Sequence, residues 1–485
     1  MSTPSTAPRA APTADTDQRR NSATNALGAA VLGFFVITFD AFVVNVALPA
    51  IHDDLGGGIS GLQWVLDGYT LMFAALLLSA GAISDRVGAH RAFARGMTVF
   101  VLASAACGLA PNLGVLIAAR LVQGVGAAAI MPASLSVIRE AFPDSARRAR
   151  AIAVWTIAGS VAATLGPILG GAFSLADWRL IFFINLPIGA TALVLLSRAP
   201  RSPRRDRPID LTGLISAGLA MGGLTYGAIE AGARGFSAPE VLAAFAIAAI
   251  ALAVFATAQA RGTHPMVPPS LLRSRPVLIA SGSGFAFTAG LSGTIFISSL
   301  YLQQQRHLSA LAVGLMFVPM TFLSAFLSVP TTRLAERFGP KAPIVGGLTL
   351  MGAGLAMLAA LPASAPLWLT ALGLIPVGIC GPLAMQPTTA VLLDSVPAHS
   401  SGVASGVFNT CRQIGGALAV AVFGALLSRS STVLNGLRIS LVIAMVLALT
   451  AAAANLLLTD PLRPHLVPLA GPARTQNPII SAHEE

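Results

Sequence analysis

Charge is what this sequence has least of. Only 10% of its 485 residues are Asp, Glu, Lys or Arg, against about 25% in an ordinary soluble domain. Hydrophobic residues make up 55%, and the mean hydropathy is +0.77. A soluble fold keeps a polar skin whatever its size, so this composition excludes a soluble enzyme, a nucleic-acid-binding domain and a disordered scaffold. Cysteine is nearly missing. Cys107, Cys380 and Cys411 lie far apart inside apolar runs, which argues against a disulfide framework and against a metal site. Lysine occurs once, at Lys341, and the other 29 basic residues are Arg. The net charge of +11 is read as membrane-edge arginine rather than as a nucleic-acid footprint. No GxxxxGK[ST] phosphate loop occurs, so ATP is not expected as the energy source.

What the chain has is long apolar runs. They fall at about 26–50, 62–84, 92–110, 113–138, 150–173, 180–197, 211–229, 239–258, 276–299, 311–330, 343–361, 367–393, 401–427 and 434–457. Each is long enough to cross a bilayer, and a lipid-exposed backbone must bond to itself, so all are expected to be helices. Fourteen crossings at about 20 residues each leave short loops and two tails. With the N-terminus inside, 23 basic residues fall on the cytoplasmic side and five outside, with Arg120 and Arg412 within spans. That asymmetry places both termini in the cytoplasm.

A weak repeat divides the chain. Asp85-Arg86-Val87-Gly88 follows the second span and Glu336-Arg337-Phe338-Gly339 follows the tenth. The offset of eight implies two six-helix halves with a helical hairpin between them, and repeated halves are usual in secondary transporters. The expected organisation is a disordered tail at 1–23, a first bundle at 24–198, a linker and inserted hairpin at 199–262, a second bundle at 263–460 and a tail at 461–485.

Four groups of residues carry the candidate chemistry. Gly81, Asp85, Arg86, Gly88 and Arg91 surround the turn after the second span; Gly81 and Gly88 permit close approach and a tight turn. Arg120, in Arg120-Leu-Val-Gln123-Gly124, sits within the fourth span and needs a partner or a water-filled cavity. Gly159, Gly166, Pro167, Gly170 and Gly171 leave the fifth span with a bare face and a bend. Asn409, Arg412 and Gln413 lie in the thirteenth. Among the acids, Asp40 is mid-span; an isolated carboxylate there favours its neutral form, which suits a proton carrier. It could equally be a packing Asp bonded to a neighbour such as Asn45. Asp67 could be interfacial or could meet a cation, and Tyr69 beside it offers a stacking surface. Trp64, Trp178 and Trp368 read as an aromatic belt, and Glu230 as interfacial.

These strings, with Phe39-Asp40 through Asn45 to Pro49 and Trp178-Arg179 through Asn185 to Pro187, resemble the major facilitator superfamily. Within it they look like the fourteen-span drug:proton antiporters that export multiple drugs or antibiotics. The resemblance covers residues 26–460. It implies an all-α membrane protein, the major facilitator fold, in which two six-helix bundles rock about a central cavity. It also implies export rather than uptake, from the fifth-span motif, and no enzymatic activity. Asp40 and Arg120 would couple protons, and Asp67, Tyr69 and Gln123 would bind substrate. Gly81 to Arg91 would form a cytoplasmic latch, although Ala89 replaces its usual basic residue. The expected partners are the lipid bilayer, protons and a hydrophobic drug or antibiotic, with cations favoured by Asp67. Neither cofactor nor metal is expected, and the working unit would be a monomer in the inner, cytoplasmic membrane. The alternative is a dedicated exporter of one endogenous metabolite or antibiotic.

Overall fold

The computed structural model describes residues 13–202, 210–262, 267, 271, 273–396 and 401–457. Among these, all regular structure is helical. Twelve of the helices are long and apolar enough to cross a membrane. The N-terminal half comprises α1 (Thr13–Leu55), α2 (Gly58–Val87), α3 (Ala89–Gly108), α4 (Leu113–Ala141) and α5 (Ser145–Ala176). It is completed by α6 (Leu180–Phe183) and α7 (Asn185–Ser197), which together make one span. The hairpin α8 (Leu211–Arg234) and α9 (Pro239–Arg261) follows. The C-terminal half comprises α10 (Arg275–Gln304), α11 (Ala310–Phe338), α12 (Lys341–Ala360), α13 (Leu367–Cys380), a π-helical turn (Gly381–Met385), α14 (Gln386–Asp394), α15 (Ser401–Arg429) and α16 (Val433–Leu456).

Short polar residues start several of these helices. Asn112, Asp144, Asp210, Ser309 and Thr432 each accept a bond from a backbone N–H three residues on, which satisfies a donor the helix cannot. Glycine ends others. Gly88 and Gly339, the two glycines of the sequence repeat, have φ of +90° and +79°. Only glycine adopts such angles without strain, so each half reverses direction at the same point by the same means. Expected boundaries differ at the N-terminus. Helix α1 begins at Thr13, so residues 13–23 are helical rather than a disordered tail. The twelfth apolar run is not one helix: Pro376, Pro382 and Pro387 accompany a π-helical turn in its middle.

The two halves use the same internal pairings. Helix α1 packs on α5 as α10 packs on α15, and α3 on α7 as α12 on α16. Between the halves, α5 meets α11 and α2 meets α15. These two seams are equivalent under the repeat. The α5–α11 seam is built on absent side chains. A Cβ added at Gly171 would lie 2.5 Å from the Cα of Leu311, and one at Gly314 would collide with the Pro167 carbonyl. The halves also bond near the end that holds Leu55, across the α2–α15 seam and between α1 and α10. Gln63 Nε2 donates to the carbonyls of Val420 (2.9 Å) and Ala421 (2.6 Å). Ser299 Oγ donates to Asn45 O at 2.9 Å, and Gln303 Nε2 to Val46 O at 3.2 Å.

The hairpin covers one seam. Helix α8 lies against both α2 and α15, while α9 packs on α8 and presents Leu242, Ile247, Ile250 and Leu252 outward. Trp64 therefore faces Tyr226 at 6.0 Å, and is not simply a belt residue. Arg429 fixes the far end of α8 by donating to Ala231 O at 3.1 Å.

Candidate functional site

The densest polar cluster in the described chain lies wholly inside the first half, where apolar helices would otherwise leave charges stranded. Asp40 from α1 and Arg120 from α4 form an ion pair, with side chains 0% and 1% exposed. A bare pair at this depth would not repay its desolvation, so the remaining donors and acceptors decide whether it is tolerable. They are nearly all used. Arg120 Nε donates to Val65 O at 2.9 Å, and Nη1 to Gln123 Oε1 at 2.7 Å as well as to Asp40. The second carboxylate oxygen of Asp40 accepts from Gln123 Nε2 (2.9 Å) and Asn185 Nδ2 (3.1 Å). Ser104 Oγ accepts from both amides, at 3.1 and 2.9 Å, and donates to Phe182 O at 3.1 Å. The guanidinium lies over the Tyr69 ring, 4.4 Å from its centroid, adding a cation–π contact.

This arrangement joins four of the expected site residues and gives two of them a different place. Asp40 and Arg120 are brought together, and the Asn45 amide donates to Ala41 O instead of to Asp40. Gln123 and Tyr69 do not line an open substrate surface. Both are buried in the ion-pair cluster, Gln123 with its amide fully engaged and Tyr69 with its hydroxyl on Ile37 O. Two members, Ser104 and Asn185, had not been singled out for chemistry. Asn185 belongs to the Trp178–Pro187 stretch, at the start of α7 where the chain steps from α6, but Ser104 in α3 carries no pattern to mark it.

Asp67 stands apart. It follows Gln63 by one helical turn, so it shares the face of α2 that meets α15, opposite the face that carries Val65 and Tyr69. It is only 1% exposed, so it is not interfacial, and neither carboxylate oxygen has a hydrogen-bond partner. Glu230 pairs instead with Arg234 on its own helix, at 2.9 Å.

The remaining groups divide by location. In the fifth-span motif, Gly159 faces the Phe34 ring, Gly166 and Gly170 face the α1 backbone at Phe39–Val43, and Gly171 faces α11. Pro167 lies against Gly314. All five thus serve helix contact. At the turn after α2, Arg86 and Arg91 are exposed, and the Asp85 side chain lies outside the described residues. Nothing comes within 4 Å of a Cβ built at Gly81, so the close approach expected there is absent from this conformation. In α15, Asn409 Nδ2 donates to Ser405 O at 2.9 Å. Arg412 lies beside the Phe287 and Phe408 rings, and its Nε has no partner. Gln413 is partly buried on the same helix. The second half thus holds no counterpart of the Asp40–Arg120 pair at Arg412.

Comparison with known proteins agrees with this fold. The sequence profile of the Major Facilitator Superfamily matches residues 30–420 and 287–481. A protein named multidrug resistance protein Stp, from Mycobacterium tuberculosis, is 36% identical over 82% of this chain and 74% of its own length. The methylenomycin A resistance protein of Streptomyces coelicolor is 35% identical over 84% and 86%. The tetracenomycin C resistance and export protein of Streptomyces glaucescens is 31% identical over 82% and 75%. Among solved structures, the inward-open xylose transporter XylE of E. coli superposes with a TM-score of 0.64 at 14% identity, over 90% of this chain and 97% of that one. The buried polar cluster, the two equivalent seams and these relatives together make the chain a member of the Major Facilitator Superfamily, a family of membrane transporters.

Proposed function

We propose that this protein is a proton-coupled antiporter that exports hydrophobic drugs or antibiotics, cations among them, across the cytoplasmic membrane. The observation that carries the proposal is the buried Asp40–Arg120 pair. With Asp40 ionised, α1 and α4 are tied by charge and the cluster is satisfied. A proton on Asp40 cancels one member and leaves a guanidinium without its counter-charge in a dry site, which is costly. Proton binding and the α1–α4 tie therefore oppose one another. The membrane potential supplies roughly 2.3 kcal/mol per charge per 100 mV, enough to drive a substrate uphill.

Helices α2 and α3, 30 and 20 residues long, would also cross the bilayer and bring the total to fourteen. Counting basic residues then favours an outward-facing bonded Leu55 end and both termini inside. Export rather than uptake is favoured by the names of the relatives, which include resistance and export proteins. Two of those names refer to a single antibiotic, which supports the narrower reading of one dedicated substrate.

The test is proton movement in energised inside-out vesicles, followed with a pH-sensitive dye while cationic and neutral drugs are added. Proton release by some drugs, lost in Asp40→Asn, is the expected result. Release that survives Asp40→Asn would remove Asp40 from the coupling. A folded protein that no drug in a wide panel excites would leave only the dedicated exporter or uptake.

A further inference from the structure

A second polar feature lies away from both seams. At the Gly88 end, a cavity of about 420 Å³ is lined by His90, Arg91, Ala94, Arg95, Arg201 and Ser202. Its walls are the first two turns of α3 and the chain that leaves α7, so it belongs to the first half alone. The walls are tied together. Ser202 Oγ accepts from the His90 backbone N–H at 2.9 Å and donates to a carboxylate oxygen of Glu140 at the end of α4. The His90 ring meets Leu196 O at 2.9 Å. These contacts fix the floor while the side chains of Arg91, Arg95 and Arg201 stay exposed, and none of the three forms an ion pair among the described residues. Three neighbouring cations repel one another, and the tied backbone keeps the bases of their side chains close together. An anion that takes several N–H donors at once removes that repulsion. The positive end of the α3 dipole points the same way.

We propose that this cavity binds a phosphate ester, the phosphate of an anionic phospholipid headgroup being the source best placed to reach it. Arginine forks fit phosphate oxygens, and basic pockets between membrane helices at the cytoplasmic edge hold anionic headgroups. The proposal rests on the crossing of α3 and the orientation proposed above, but it needs neither Asp40 nor a drug.

The test is native mass spectrometry of the full-length protein, titrated with phosphatidylglycerol and, separately, with inorganic phosphate. Arg95→Gln with Arg201→Gln should weaken phosphatidylglycerol binding roughly tenfold or more. Arg95→Lys with Arg201→Lys, which keeps the charge, should retain most of it. A control pair, Arg261→Gln with Arg273→Gln, removes two exposed charges elsewhere and should bind like the parent. If inorganic phosphate binds with the same dependence on Arg95 and Arg201 while the lipid does not, the phosphate site stands and its source is soluble. Equal lipid and phosphate binding by the parent and the Gln pair, or an equal loss in the control pair, would overturn the proposal. All variants are compared at matched monodispersity, so a misfolded sample is not counted as a loss of binding.

Discussion

Asp40 and Asp67 are both buried acids in the first half, and they should respond oppositely to the same change. Asp40→Asn strips Arg120 of its counter-charge, and breaking a buried pair this way costs about 3–5 kcal/mol. Arg120→Gln should cost less, because the orphaned carboxyl can take up a proton and become neutral. The double variant should fall well short of the sum. Thermal unfolding in detergent, run as a double-mutant cycle, checks this; simple additivity would mean that the pair contributes nothing as a pair. Asp67 has no partner to lose. Asp67→Asn should leave the melting temperature unchanged or raise it, while export of cationic drugs falls several-fold and export of neutral ones persists. An equal loss for both drug classes would refute its role in recognising cations.

Among the helices, α5 carries the sharpest expectation. Gly171 faces main-chain atoms of α11, which cannot swing aside as a side-chain end can. Gly171→Ala should therefore hold the α5–α11 seam apart and cut transport at least tenfold with the protein still inserted. Spin labels across that seam should report a longer distance; an unchanged distance with normal transport would show that the contact is dispensable. Gly166 and Gly170 are legible in the sequence because their spacing of four marks one helix face, whereas Gly171, one residue on, turns to the other neighbour, α11. It also made the ends of most helices visible, through apolar runs and capping residues. It could not show the break near Pro382, since a long apolar run with prolines reads the same whether the helix bends or changes its winding. Nor could it mark Ser104, whose role depends on α3 lying beside α7. The surroundings of Tyr69 and Gln123 are not legible in the sequence for a similar reason. A polar residue on a membrane helix can face a cavity or a buried charge, and only the packing of α2 and α4 around Arg120 decides which.

For the whole molecule, the repeat and the hairpin set the geometry, and the crossing number follows from α2 and α3. An alkaline phosphatase reporter fused after Gly88 should be inactive and one fused after Asn112 active, if both helices cross. Activity at both sites would instead leave α2 and α3 on the outer side and reduce the count to twelve. The hairpin occupies the α2–α15 seam and leaves the α5–α11 seam without a matching cover. The two seams are alike in pairing and unlike in surroundings, so motion of the halves is expected to be freer on the α5 side.

The bonds that fasten the Leu55 end come from Gln63, Ser299 and Gln303, and each ends on a main-chain carbonyl. No donor or acceptor among them titrates in the physiological range. This fastening is therefore blind to acidity and only weakly sensitive to salt. Under the proposed coupling, a change at Asp40 would reach it mechanically, with α1 as the rod. The carbonyls of Asn45 and Val46 that accept these bonds lie about 8 Å further along the same helix as Asp40. A small tilt of α1 would be enough to lengthen them both.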